Sequence, residues 1–149
     1  MRFLGRLSDA AVRSAMARSD GVVVPAVQDF GLTLVEAQAS GRPPIAFGEG
    51  GALEVVEDGR TGFLFREQTP AGVAAAMERA RRVALDPDAL VGSARRFDLT
   101  VFRAAIRDAI DVALAAREAR AAGWDAAPDP SWPAVSIARR ERPEAGHAR

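Results

Sequence analysis

The first sustained pattern of apolar and polar positions is helical. Ser8-Asp9 read as a helix cap, and Val12, Ala15 and Met16 fall on one face of a helix ending near Asp20-Gly21. Ahead of it, Met1 to Leu4 read as the end of a strand. Gly21-Val22-Val23-Val24-Pro25 is a β-branched run closed by proline, the pattern of a strand buried on both faces in a parallel sheet. A loop from Pro25 to Phe30 leads into a helix reaching Ser40, in which Leu32, Val35, Glu36 and Ala39 keep helical spacing, with Gly41 at C′ and Pro43-Pro44 beyond. Ile45-Ala46-Phe47 is the next strand. Gly48-Glu49-Gly50-Gly51 forms a flexible turn, Ala52 to Val56 a short helix, and Asp58-Gly59 a reversal before a third strand, Gly62 to Phe65. Thr69-Pro70 starts a helix whose Val73, Ala76, Met77, Ala80 and Val83 line one side against Glu78, Arg79 and Arg82. Asp86-Pro87 opens another short helix, and Phe102, Ile106, Ile110, Ala113 and Leu114 mark a long one over Leu99 to Ala121.

Strands alternating with helices predict an α/β fold, a parallel Rossmann-like sheet with flanking helices and right-handed crossovers. Ligands in such folds bind outside the carboxyl ends of the strands. No internal repeat is present. After Gly123 the periodicity fails and four of the nine prolines follow, so residues 1–122 are expected to be the folded domain and 123–149 a mobile tail. Trp124 and Trp132 in that tail read as local anchors.

With 149 residues there is room for one domain of ordinary size. The absence of cysteine excludes disulfides, thiolate zinc sites and a cysteine nucleophile, and His147, the single histidine, near the end excludes a Ser-His-Asp triad or a multi-histidine metal site. Basic and acidic residues balance at 20 each, which argues against a nucleic-acid partner. All the basic residues are arginine, and Lys, Asn and Tyr are missing, a bias of genome composition to which no functional weight is given. No apolar run is long enough for a membrane helix and no signal-peptide order opens the chain, so the expected location is cytoplasmic.

Two loops at strand carboxyl ends, Pro25 to Phe30 and Gly48 to Gly51, each run into a helix start. Unpaired amides there suit an anion, and glycine permits close approach, so a phosphate can be held without lysine. Every α/β sheet has such loops, so the geometry alone leaves an ordinary structural role open.

The residues of these loops also carry a resemblance. Gln28-Asp29-Phe30-Gly31-Leu32-Thr33-Leu34-Val35-Glu36-Ala37, then Ser40-Gly41-Arg42-Pro43, then Gly50-Gly51-Ala52-Leu53-Glu54-Val55-Val56-Glu57-Asp58-Gly59-Arg60-Thr61-Gly62, resembles the donor-binding half of the family 4 glycosyltransferases. The similarity runs from Phe3-Leu4-Gly5-Arg6 to the Phe97 to Phe102 region, and Glu36-Ala37-Gln38-Ala39-Ser40-Gly41-Arg42-Pro43 is most similar to mannosyl and related transferases of surface polysaccharide assembly. The resemblance implies a retaining, hexosyltransferase-type enzyme whose GT-B fold is represented here by its C-terminal half. It implies no cofactor and no bound metal, the substrate being a nucleoside-diphosphate sugar and the acceptor a glycan or a lipid-linked glycan. It assigns Glu36 to the ribose hydroxyls, Phe30, Gly31 and Leu32 to the sugar and pyrophosphate, and Gly50 and Gly51 to the second loop of the cradle. The carboxylate expected to contact the transferred sugar falls on Gln28, the candidate catalytic position, as an amide; Asp29 is a neighbouring carboxylate.

The resemblance further implies that an acceptor domain and the first part of the donor domain precede Met1, which predicts an incomplete site, a companion chain carrying that domain, and peripheral membrane association through it. The alternative is a non-catalytic remnant, an α/β module that holds a nucleotide or a partner protein. Glu49, Glu54, Glu57 and Asp58 crowd the second loop and are read as ordinary acidic turn residues rather than metal ligands. Arg79, Arg81, Arg82, Arg95 and Arg96 are expected to be solvated helix faces.

Overall fold

A computed structural model describes residues 3–121. Residues 3–105 form one compact unit; of a second unit, which begins at Ile106, the described part is the remainder of one helix. The elements are α1 (Asp9–Ala17), β1 (Val22–Val24), α2 (Leu32–Ala39), β2 (Pro44–Phe47), α3 (Ala52–Val55), β3 (Phe63–Phe65), α4 (Pro70–Arg82), α5 (Pro87–Ala94), a 3-10 turn (Arg95–Phe97) and α6 (Leu99–Ala121). All three strands are parallel, in the order β1-β2-β3, with Val23 opposite Ile45 and Ile45 opposite Phe63.

The strand period of two divides the core. Val24 and Ala46 face α2 and α3, where they pack with Leu34, Ala52, Val55 and Val56. Ile45, Phe47, Phe63 and Phe65 point the other way, onto Ala76 of α4 and its neighbours Val73 and Ala80. β2, in the middle, is buried at every position, as a doubly covered strand should be. Helix starts follow their caps: Ser8, Thr69 and Asp86 each accept from an amide of the first turn, and the last two precede a proline at the helix start. α2 ends as predicted, with the Gly41 and Arg42 amides returning to the carbonyls of Gln38 and Ala37.

Four expectations change. Phe3 and Leu4 form no strand; both are exposed, and no described strand lies beside them. β1 is not buried on both faces: Val23 is 36% exposed, because β1 is the sheet's edge and α4 covers its outer face only partly. On α2 the inward residues are Leu34, Ala37 and Gln38, whereas Leu32, Glu36 and Ala39 face out. Helical spacing defines a face without saying which side the sheet takes, and here the buried side includes a glutamine. On α4, Met77 and Val83 are exposed, so the core stripe narrows to Val73, Ala76 and Ala80. The tail, with Trp124 and Trp132, lies outside the described residues.

Candidate functional site

β1 and β2 are adjacent and parallel, so the loops leaving their carboxyl ends must emerge side by side. Residues 25–31 and 48–51 do so, and Gln28 and Gly50 form an isolated parallel bridge between them. The Gly51 amide donates to the Gln28 carbonyl at 2.7 Å. A Cβ on Gly50 would stand 2.5 Å from that same carbonyl oxygen, and one on Gly51 would run into the Phe30 carbonyl. Glycine here is expected to permit close approach of a ligand; among the described residues the group that approaches both glycines is the backbone of the first loop. Glycine is required here because one loop lies directly on the other.

The first loop delivers the chain to α2 through Gly31, whose φ of +92° no bulky residue would adopt. Gly31 offers no side-chain cap, and its carbonyl accepts from Leu34 and Val35. Among the described residues nothing accepts from the Leu32 or Thr33 amides, so α2 begins with free donors pointing past Gly31. Gln28 is half-buried beside this terminus: its Cβ is 3.7 Å from where a Cβ of Gly31 would stand, and its side-chain amide reaches only the Val27 carbonyl at 3.2 Å. Glu36 lies one turn beyond Leu32 on the same exposed side, with no donor among the described residues. Phe30 and Leu32, 45% and 66% exposed, leave an apolar rim beside the free amides. The structure thus brings together Gln28, Phe30, Gly31, Leu32, Gly50 and Gly51, with Glu36 one helical turn away.

Of the acidic residues around the second loop, Asp58 and Glu57 are committed elsewhere. Asp58 accepts from the Leu64 amide at 2.8 Å and pairs with Arg79, whose guanidinium also covers the Phe63 ring at 5.0 Å. Glu57 pairs with Arg60, and Glu78 with Arg81 and Arg82. Arg79 and Arg96 are therefore not simply solvated. Arg96 donates to the Glu54 and Val55 carbonyls at 2.8 Å each and lies over Phe97 at 4.6 Å. The other residue that sequence reading passed over is Gln38. Fully buried, it donates to the carbonyls of Val55 (3.1 Å) and Thr61 (2.9 Å), tying α2 to the end of α3 and to the turn that follows. Its place in the string resembling the family does not mark it as buried, because a polar residue at helical spacing reads as solvent-facing.

The sequence model of a family described as glycosyl transferases group 1 matches residues 1–82. The chain belongs to that family. A glycogen synthase of Pseudomonas syringae is 35% identical to this group 1 glycosyltransferase chain over 96 residues, covering 60% of the chain and 20% of the relative. A phosphatidyl-myo-inositol mannosyltransferase of Mycobacterium leprae is 34% identical over 111 residues, 68% of the chain and 29% of the relative. The chain thus spans between a fifth and a third of these relatives' lengths. The structure of Anabaena HepE in complex with UDP and glucose superposes with a TM-score of 0.60 at 30% identity, over 74% of this chain and 32% of that one. The catalytic domain of Arabidopsis thaliana starch synthase IV bound to ADP and acarbose superposes with a TM-score of 0.57 at 26% identity, over 71% and 24%. The fold of this group 1 chain is that of the GT-B glycosyltransferases: an α/β unit with a parallel sheet and flanking helices.

Proposed function

We propose that the paired loops and α2 form the donor site of a retaining glycosyltransferase, which takes a hexose from a nucleoside-diphosphate sugar to a glycan or lipid-linked acceptor. One observation carries the reading. The free amides of Leu32 and Thr33 and the free carboxylate of Glu36 stand on one helix, four residues or ~6 Å apart along its axis. Amides at a helix start donate to an anion, and a carboxylate accepts two hydrogen bonds from vicinal hydroxyls. A diphosphate and a ribose joined in one nucleotide meet both needs at that separation. Gln28, beside the helix start, takes the position facing the transferred sugar, and Phe30 flanks it. The α2 amides give the diphosphate hydrogen bonds and the positive end of the helix dipole; neutralising its charge falls to basic residues that the resemblance places in the first part of the donor domain, and the reading calls for no cofactor or bound metal. An acceptor-binding domain, on a companion chain or elsewhere in a longer protein, supplies the opposite wall of the cleft and any contact with a membrane surface; the setting is cytoplasmic.

UDP and ADP, the nucleotides in the HepE and starch synthase structures, are the natural probes. In calorimetric titration the chain is expected to bind at least one of them, and Glu36→Ala to weaken it. A chain that binds neither would refute the reading. The amide at Gln28 favours a second reading, a nucleotide-binding module without transfer activity. Tight nucleotide binding with no sugar release from UDP-glucose, whether the acceptor domain is supplied or not, would select it.

A further inference from the structure

A closed ring of contacts runs from the first loop to a segment distant in sequence and back. It begins where Gly51 donates to the Gln28 carbonyl and underlies Phe30. Gly51 starts α3, a single turn of four residues that cannot hold its own geometry. The carbonyls at the far end of α3, Glu54 and Val55, lack helical partners and are taken by Arg96, with Gln38 adding a second donor to Val55. The Arg96 guanidinium lies over Phe97, and Phe97 meets Phe30 edge to face, with centroids 5.5 Å apart at 89°. The ring therefore closes on the loop where it began.

We infer that Arg96 and Phe97 are positioning residues for the Gln28–Gly31 loop. Arg96 anchors α3 from below, α3 holds the loop's carbonyls through Gly51, and Phe97 braces Phe30 from the other side. Together they set the direction in which the Leu32 and Thr33 amides leave the loop. One guanidinium nitrogen, Nη2, donates to both carbonyls while the planar face of the group stays on an aromatic ring; lysine would keep a charged donor and lose the stacking. Glu36, further along α2 and held by the buried Leu34 and Ala37, stands outside the ring. Diphosphate recognition should therefore depend on Arg96 and Phe97, and ribose recognition should not. The inference rests on the donor-site reading above.

The test is calorimetric titration of the full 149-residue chain with UDP and uridine, and with ADP and adenosine as a second pair. Wild-type chain is expected to prefer the diphosphate of at least one pair. Arg96→Gln should lower affinity for that diphosphate about tenfold while leaving the nucleoside within about twofold. Arg96→Lys should fall between, and Phe97→Leu should act in the same sense as Arg96→Gln. Without ligand, Arg96→Gln should also speed amide exchange at Gly51 and leave that at Ala46, in the sheet centre, unchanged. Equal losses for diphosphate and nucleoside would mean a general structural role and overturn the inference, as would an unaltered ratio or unaltered Gly51 exchange. A wild-type chain that binds a nucleotide with no preference for diphosphate over nucleoside would overturn it too, by removing the amide site at α2, a failure visible before any variant is made.

Discussion

At the scale of single residues, Gln28 and Glu36, proposed to face the transferred sugar and the ribose, are expected to make separable contributions. A hydrogen bond to a charged group is worth about 1.5–3 kcal/mol against about 0.5–1.5 for a neutral one, so Glu36→Gln should cost on the order of 1 kcal/mol, about fivefold in nucleotide affinity. Calorimetry with UDP or ADP reads this directly, and an unchanged affinity would remove the ribose assignment. Gln28→Glu adds negative charge where a glycosyl transition state develops positive charge, so in protein supplied with an acceptor domain it should raise turnover more than binding. Single-turnover assays separate the two effects. Asp98 illustrates a residue with a purely structural charge. Its carboxylate accepts from the Thr100 amide and hydroxyl at the start of α6, and these hydrogen bonds, the amide's first, hold it below the ordinary aspartate range. A depressed value means the cap is complete above the unfolded-state range and lost as pH falls through the folded value. Asp98→Ala should therefore reduce helicity at neutral pH by circular dichroism, and the difference from wild type should vanish in acid. Gln28, Glu36 and Gln38 all stand in the ordered string, which proposes roles for the first two. The role of Gln38 was not legible there, because it comes from two carbonyls, Val55 and Thr61, that only folding brings to it.

At the scale of elements, the site depends on one loop lying directly on another. Gly51→Ala forces a methyl group into the Phe30 carbonyl, so the first loop must lift and free the amide bond to Gln28. It should cost about 1–3 kcal/mol in thermal or urea melts and abolish measurable nucleotide binding. Gly59→Ala makes a control, since a Cβ there meets nothing within 4 Å although its φ is +77°. That variant should be strained locally yet leave the proposed nucleotide site intact. In the core, Leu34 and Phe63 are fully buried on opposite faces of the sheet, and truncation of either to alanine should cost about 3–5 kcal/mol in the same melts. Helix starts were readable here from Ser8, Thr69 and Asp86 because caps act locally. The inward face of α2 was not, because that choice belongs to the sheet beneath it.

At the scale of the whole molecule, the two edges of the sheet differ. The β3 edge is protected: the Leu64 amide is already taken by Asp58, which Arg79 in turn holds. Among the described residues nothing pairs with the outer edge of β1. Val22 donates inward to Pro43, so Val23 turns its own amide and carbonyl outward, beside an apolar groove of about 480 Å³ between Val23, Pro25, Val73 and Met77. Such an edge invites a further strand. The chain is expected to self-associate as concentration rises, and Val23→Lys to suppress this; a concentration-independent monomer in sedimentation velocity would count against it.

The alternation of apolar runs, caps and breakers, read from the chain alone, determined an α/β unit and the order of its elements, because these signals act over a few residues. The ordered string from Gln28 to Gly62 likewise carried the family, since it records a loop, a helix start and a second loop in succession. What only tertiary structure decided is what those glycines and arginines touch. Gly50 and Gly51 meet the backbone of the first loop, Arg79 closes the β3 edge through Asp58, and Arg96 reaches from beyond α5 to the end of α3. Each of these contacts joins residues more than 20 apart in sequence, and the partner exists only once parallel strands have set their loops side by side.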